Sequence, residues 1–214
     1  MTSVWQDYEE RCEEIDTYFD HLSQEINNPG STDDHKKIMK AHAFLMIYNM
    51  LESTVRNAIE EIISSINRAS ITYEQAIDEV RAIWLEYNYK KFADTNSKVI
   101  VNTIDTIKQD VININYDKYK KKKGNDLSGN VRPGVIDELA EKYKFDKNVR
   151  INGADMNIVM NHRNSLAHGN ESYTQVGRKY SEGELLKFKR TCYAYLKEFL
   201  LCVRKYIREE LYKR

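Results

Sequence analysis

The sequence predicts an all-α protein: a mostly antiparallel helical bundle with long N-terminal, second and C-terminal helices. Apolar residues recur at steps of three and four along most of the chain, and no segment alternates convincingly between apolar and polar residues. Proline and glycine are scarce, at 2 and 8 of 214 residues. This length, with 41 % hydrophobic residues, suffices to bury one core, so we expect a single domain over residues 1–214.

The first two predicted helices are long and are joined by a turn. The first carries an apolar seam at alternating steps of three and four, which consists of Trp5, Tyr8, Cys12, Ile15, Phe19, Leu22 and Ile26. The segment 27–30, Asn-Asn-Pro-Gly, predicts its end. Asp33 and Asp34 then suit the N-cap of a second helix over residues 35–69.

A capping box opens the third predicted helix. Thr72 and Gln75 can each satisfy a backbone N–H group of the other, so we expect a helix over residues 72–89. A further helix is predicted over residues 97–112. The segment 115–134 combines a lysine run with glycines and turn-forming Asn and Asp, which predicts an internal loop.

The C-terminal half is predicted to contain three helices. The first covers residues 134–145 and follows a proline that suits a first helical turn. The second covers residues 152–169 and ends at Gly169, because a residue without a Cβ suits a left-handed C-cap. A second capping box and a long apolar stripe predict the terminal helix over residues 181–211.

The charges balance overall but are unevenly distributed. Lys plus Arg and Asp plus Glu number 33 each, yet residues 1–34 contain ten acids and one base, Arg11. The rest of the chain is therefore basic. It either attracts phosphate groups or provides a basic helix on which the acidic first helix packs, and the sequence favours neither interpretation.

The sequence indicates neither membrane insertion nor export. Its longer apolar runs, such as residues 43–48, are far shorter than the roughly 18 residues of a membrane helix, and the acidic N-terminus does not resemble a signal peptide. The three cysteines, Cys12, Cys192 and Cys202, are odd in number and form no C-x-x-C pair. We therefore expect reduced thiols and a cytoplasmic protein without a metal site or cofactor.

The segment 161–170, NHRNSLAHGN, brings Arg163, Asn164 and His168 to the end of a predicted helix. A guanidinium binds a phosphate through two parallel hydrogen bonds, and an imidazole exchanges protons near neutral pH. Because RNA carries its own nucleophile, the ribose 2′-hydroxyl, these groups suit phosphodiester cleavage. The alternative is that both cations only complement the negative end of the helix dipole.

Helix geometry limits how these groups can cooperate. Arg163 and His168 are five residues apart, which separates them by about 140° around an ideal helix. To act on one phosphate, they need either a distorted helix end or a second copy of the chain.

The motif RNSLAHG, residues 163–169, resembles the signature of the HEPN superfamily (higher eukaryotes and prokaryotes nucleotide-binding domains). In that signature a polar residue such as Asn follows Arg, and His lies four to six positions beyond Arg. The predicted location, between a late helix and a long terminal helix, is also similar. Three segments resemble a bacterial branch of stand-alone HEPN-like nucleases: FLMIYNMLESTVRNAIEEI (44–62), LSGNV (127–131) and HGNESYTQVGRKYSEGEL (168–185).

This resemblance implies a helical bundle that forms a homodimer and cleaves RNA without metal. His168 would transfer protons, Arg163 would bind and stabilise the phosphate, and Asn164 would orient its neighbours. The two motifs of the dimer would meet at one cleft. The products would be a 2′,3′-cyclic phosphate or 3′-phosphate and a 5′-hydroxyl. Proteins of this kind often act as toxins or as effectors against phage, so we also expect a neutralising or regulatory protein partner.

A polar row on the second helix is a candidate supporting shell. Asn49, Glu52 and Arg56 lie at steps of three and four on an otherwise apolar helix. They are either an ordinary surface Glu–Arg pair with a neighbour or a shell that positions the motif helix. The resemblance of YNMLESTVR favours the shell. His162 is expected beside the site rather than as a catalyst.

The lysine run in the predicted loop is a weaker candidate. With interleaved tyrosines it could bind an RNA backbone, or it could be an ordinary solvated loop; the residues are Lys120, Lys121, Lys122 and Lys123. For the whole chain, three functions stay open. These are an endoribonuclease, a non-catalytic HEPN module that binds RNA, nucleotide or a partner protein, and a structural bundle.

Overall fold

Helices α1 (Thr2–Asn27) and α2 (Asp33–Ala69) form an antiparallel pair. The computed structural model describes residues 1–88, 107–115 and 130–214. Tyr18, late in α1, donates a hydrogen bond to the carbonyl of Met39, early in α2, at 2.6 Å. Asn57, late in α2, donates to Asp7, early in α1, at 3.0 Å. The predicted hairpin is therefore confirmed.

The predicted N-cap of α2 was wrong by one residue. Thr32 is the cap, and its hydroxyl accepts a hydrogen bond from the backbone N–H of His35 at 3.3 Å. Asp33 and Asp34 lie in the first turn, where their negative charges face the positive end of the helix dipole.

The segment that follows α2 is broken where one continuous helix was predicted. The capping box of Thr72 and Gln75 is present, but it closes only a 3-10 turn over Tyr73–Gln75. Helix α3 covers Asp78–Asn88. The chain is extended between them because Ile77 donates its backbone N–H to the carbonyl of Tyr212 at 3.1 Å, and a continuous helix would not allow this bond.

The next predicted helix and loop are described only in part. Residues 107–109 are helical, so the helix ends three residues before the predicted 112. It stops there because Ile112 donates its N–H to the carbonyl of Ile71 at 2.8 Å. Residues 97–106 of the predicted helix and 116–129 of the predicted loop lie outside the described residues.

Helix α4 covers Pro133–Tyr143, with the proline in its first turn as predicted. Helix α5 (Ala154–Ala167) carries the motif, and the long helix α7 (Glu182–Arg208) starts at the predicted capping box. Helix α7 ends three residues before 211 because Glu210 adopts a left-handed conformation with φ 50°.

A short helix, α6 (Tyr173–Gly177), lies in the segment predicted as loop between α5 and α7. Its capping box, Ser172 with Gln175, is visible in the sequence and was overlooked. Gly177 lies against the backbone of Lys37 in α2 so closely that a Cβ would overlap the Lys37 carbonyl oxygen. Contact with α2 therefore anchors this helix.

Helix α2 lies at the centre and contacts α1, α5, α6 and α7. Its core-facing side chains are fully buried, among them Phe44, Ile47, Tyr48, Leu51, Val55, Ala58 and Ile62. The described residues are helical apart from turns, extended segments and two isolated bridges, which confirms the predicted all-α class. Cys12, Cys192 and Cys202 are free thiols. No helix among the described residues is long and apolar enough to cross a bilayer.

Candidate active site

The motif lies at the C-terminal end of α5, which remains regular up to His168. The backbone N–H of His168 bonds to the carbonyl of Asn164 at 3.0 Å, a normal helical hydrogen bond. Gly169 then adopts φ 69°, as predicted, and Asn170 donates to the carbonyl of Ser165 at 2.9 Å. These bonds form a Schellman motif, which closes the helix and fixes where the backbone of His168 lies.

Arg163 points from α5 onto α2. Its guanidinium lies over the ring of Tyr48, with Cζ 4.2 Å from the ring centroid. Its Nη2 donates to Oε2 of Glu52 at 3.1 Å, and its side chain is 22 % exposed. A cation over an aromatic face and a carboxylate partner together hold the guanidinium in one orientation.

Glu52 connects two guanidinium groups. Its Oε1 accepts a hydrogen bond from Arg56 Nη2 at 2.6 Å, while its Oε2 accepts the one from Arg163. The Glu52–Arg56 pair on α2 therefore also contacts the motif helix, through Arg163. The Glu52 carboxylate therefore lies between two guanidinium groups, and 18 % of its side chain is exposed.

Asn164 extends the cluster to a third segment. Its Oδ1 accepts a hydrogen bond from Arg163 Nη1 at 2.8 Å, and its Nδ2 donates to Oδ1 of Asn130 at 3.0 Å. The adjacent Val131 donates its backbone N–H to the Tyr48 hydroxyl at 3.0 Å. The chain just before α4 is therefore bound to both α5 and α2 at this point.

The side chain of His168 is exposed at the cap of α5. Because the helix is regular up to this residue, the angular separation of about 140° from Arg163 is retained. Helix distortion, one of the two routes to convergence raised by the sequence, is therefore absent here.

His162 packs against aromatic side chains beside the Arg163 cluster. Its Nε2 lies 2.7 Å from the Tyr180 hydroxyl, and its ring lies 4.9 Å from that of Phe44. Burial lowers the pKa of His162, and the nearby positive charge of Lys179 lowers it further, while Glu171 opposes the shift. The neutral imidazole is favoured, which suits a packed neighbour of the site.

Of the two further candidates, the structure describes only Asn49. Asn49 is exposed on α2 and takes no part in the hydrogen bonds that the described residues form around Arg163. The four lysines of the predicted loop lie outside the described residues: Lys120, Lys121, Lys122 and Lys123.

Sequence reasoning missed Tyr48 and Asn130 as parts of the site. Tyr48 lies one turn before Glu52 and so shares its side of α2. It belongs both to the core and to the site, since it is fully buried and still contacts Arg163. Asn130 lies in the predicted loop 115–134 and in the resembling segment LSGNV, but no sequence signal indicates that it contacts Asn164.

Comparison with known proteins identifies the family of this chain. The model of the family HEPN_MAE_28990, described as MAE_28990-like HEPN, matches residues 1–212. This chain belongs to the HEPN superfamily. No curated protein and no solved structure matches it significantly. HEPN membership indicates a nuclease-like or RNA-related module and is compatible with nuclease activity.

Proposed function

We propose that the chain is a metal-independent HEPN endoribonuclease that acts as a homodimer in the cytoplasm. One observation carries this proposal. Arg163 is held by Tyr48, Glu52 and Asn164, and the exposed His168 lies at the end of the same helix. A preorganised cation and an accessible imidazole, brought to one phosphate by a second copy of the chain, are the groups that cleavage by the ribose 2′-hydroxyl requires.

The proposed reaction is an in-line displacement at phosphorus. His168 takes the proton of the 2′-hydroxyl, and the resulting oxygen attacks the adjacent phosphate. Arg163 stabilises the charge that develops on the non-bridging oxygens. His168 of the partner subunit donates a proton to the departing 5′-oxygen, which yields a 2′,3′-cyclic phosphate and a 5′-hydroxyl.

The charge of the cluster supports this assignment. Two guanidinium groups, those of Arg56 and Arg163, flank the carboxylate of Glu52 and would attract a phosphodiester. Arg163 donates one terminal nitrogen, Nη1, to Asn164 and the other, Nη2, to Glu52, so the two residues hold different ends of the guanidinium. In this proposal Glu52 and Asn164 are positioning residues, while Arg163 and His168 contact the reacting groups.

We further propose that the enzyme is a toxin or an effector in phage defence. This biological role follows from the resemblance to stand-alone bacterial HEPN-like nucleases. An active ribonuclease in its own cytoplasm would need restraint, so we propose a neutralising or regulatory protein partner.

The decisive experiment compares wild type with His168→Ala and Arg163→Ala on total RNA in EDTA. Wild type should cleave, both variants should not, and mapped fragments should carry 2′,3′-cyclic phosphate and 5′-hydroxyl ends. His21→Ala, which changes an exposed histidine on α1, is the matched control and should cleave normally. Equal cleavage by all four proteins would reveal a contaminating nuclease and contradict the proposal.

A second candidate is a non-catalytic HEPN module that binds RNA, nucleotide or a partner protein. The contacts of Arg163 favour it in one respect, because Glu52 and Asn164 both engage a guanidinium that is only 22 % exposed. Such a module should retard RNA in a gel without cleaving it. Arg163→Ala should weaken that retention, whereas His168→Ala should leave it intact.

A further inference from the structure

Helices α1 and α7 lie side by side and antiparallel along one face of the bundle. Lys189 Nζ pairs with Asp16 Oδ1 at 2.7 Å, and the hydroxyl of Tyr193 donates to the carbonyl of Cys12 at 2.9 Å. Further along, Arg204 lies over the ring of Trp5. We call the line along which the two helices touch the seam. The three contacts show which residue of α1 lies opposite which residue of α7 along it.

The outer side of α7 is strongly basic. With 100° of rotation per residue, six exposed cations project from α7 in directions that lie within about 60° of a common direction perpendicular to the helix axis. This basic stripe consists of Lys187, Arg190, Lys197, Arg204, Lys205 and Arg208. The exposed Leu201 lies in its middle.

The outer side of α1 is acidic along the same seam. Four exposed carboxylates lie within a sector of about 60° that borders the side facing α7. This acidic stripe consists of Glu9, Glu13, Asp16 and Asp20. It contributes much of the acidic excess of the first 34 residues, so the uneven charge of the sequence becomes two parallel stripes.

The two stripes do not neutralise each other within the chain. The pair of Asp16 with Lys189 crosses the seam, but Lys187 pairs with Asp155 of α5 and Arg208 with its neighbour Glu209. Across the part of the chain that the structure describes, the remaining members form no ion pair: Glu9, Glu13, Asp20, Arg190, Lys197, Arg204 and Lys205. Their charges face solvent.

We propose that this face binds a second copy of the chain. A two-fold axis along the seam, parallel to both helices, would bring α1 of each copy onto α7 of the other at the same level. Within one chain, Asp16 lies at the height of Lys189 along the helices, and Cys12 lies at the height of Tyr193. Because the two-fold axis keeps these heights, Glu9 would meet Lys197 of the partner subunit. By the same register, Asp20 would meet Lys187 of the partner subunit.

A second copy fits this face better than an RNA backbone does. Packed helices lie about 8–10 Å apart, so the acidic stripe is close enough to repel phosphates bound to the basic stripe at physiological ionic strength. A second copy complements both stripes at once. The face is therefore self-complementary, whereas RNA would match only half of it.

This interface would be separate from the candidate active site. On α2, Met50 faces α1, whereas Glu52 faces the Arg163 cluster, and two residues separate directions by about 200° around a helix. The proposal therefore does not depend on ribonuclease activity. If the motifs also pair, as the proposed function requires, contacts through both faces would build assemblies larger than a dimer.

The experiment reverses each stripe separately and measures molar mass by sedimentation velocity. The acid-reversed variant is Glu9→Lys with Glu13→Lys and Asp20→Lys, and the base-reversed variant is Arg190→Glu with Lys197→Glu and Lys205→Glu. Each variant alone should have about half the mass of wild type at low salt, since like charges would face each other. An equimolar mixture should recover the wild-type mass, because the two altered faces complement each other again.

Controls separate this proposal from its competitors. Glu138→Lys with Glu141→Lys reverses exposed charges on α4 and should leave the mass unchanged. Thermal melting should show that all variants fold. If a reversed variant does not fold, Glu9→Gln with Glu13→Gln provides a milder test, with a smaller loss of mass.

Unchanged mass in both reversed variants, or no recovery of mass on mixing them, would overturn the proposal. If the base-reversed variant keeps its mass but loses retention of an RNA oligonucleotide, the basic stripe belongs to RNA instead.

Discussion

Glu52 and Arg163 are separated by 111 positions in the sequence, yet Arg163 Nη2 lies 3.1 Å from Glu52 Oε2 across α2 and α5. The same carboxylate binds Arg56 at 2.6 Å. A carboxylate that uses both oxygens on different guanidinium groups fixes the distance between them. The position of the phosphate-binding candidate therefore depends on a residue of another helix.

Glu52→Gln should weaken both stability and activity. Glutamine keeps one oxygen acceptor but carries no charge, so both guanidinium groups lose the carboxylate charge and one also loses its acceptor. The free energy of unfolding should fall by about 1–2 kcal/mol, because the pair is only partly buried. RNA cleavage should fall more steeply, since Arg163 would lose one of the three contacts that orient it. Urea denaturation and initial cleavage rates measure the two effects, and Glu60→Gln, an exposed change on the same helix, is the control. Full activity in Glu52→Gln would contradict a positioning role.

Gly169→Ala should disturb the cap that fixes the backbone of His168 at the end of α5. The φ of 69° lies in the left-handed region, where an added Cβ costs about 1–2 kcal/mol. We expect that loss in the free energy of unfolding, together with a lower kcat as the end of α5 rearranges. Gly169→Asn should be milder, because asparagine tolerates this conformation. Gly183→Ala, where a Cβ meets open space, should cost no stability. Equal stability for Gly169→Ala and wild type would show that the cap is dispensable.

His162 should make stability depend on pH. Burial lowers the pKa of His162 in the folded chain, so the folded pKa lies below the unfolded value of about 6.5. At a pH between the two pKa values, the unfolded chain binds more protons than the folded chain. The stability present above the unfolded pKa is therefore lost as the pH falls from that pKa through the lower folded pKa. Urea denaturation at about pH 7.5 and about pH 5 should show a smaller loss in His162→Phe than in wild type. His21→Gln should retain the wild-type loss, and an unchanged pH dependence in His162→Phe would show that other groups cause it.

Gly177→Ala should detach α6 from α2. A Cβ at this position would overlap the carbonyl oxygen of Lys37, and backbone atoms cannot move aside without shifting a helix. We expect a loss of about 1–3 kcal/mol in the free energy of unfolding. Hydrogen exchange of residues 173–177 should also accelerate, because the helix would lose its support. If exchange there stays at the wild-type rate, the close approach to Lys37 does not anchor α6.

The elements that local chemistry specifies were predictable from the sequence. The apolar seam of α1, the proline at the start of α4 and the box of Ser181 with Glu184 each act within a turn or two of helix, and all three are present. The left-handed Gly169 belongs to the same class, because a helix end requires it regardless of what packs nearby.

Elements that depend on distant backbone were predicted incorrectly. The capping box of Thr72 and Gln75 should open a long helix, but the bonds of residues 71, 73 and 77 to other segments of the chain confine it to a 3-10 turn. Local capping energy is about 1 kcal/mol, and several long-range backbone hydrogen bonds can outweigh it.

The sequence by itself determined the helical class, most helix ends and the presence of Arg, Asn and His in one short motif. These properties follow from periodicity and from side chains bonding to their own backbone. Only the tertiary structure decided that Arg163 faces Tyr48 and Glu52, and that Asn164 reaches Asn130. The physical reason is that a contact between segments depends on how helices pack, and packing is set by the whole core rather than by any local pattern of residues.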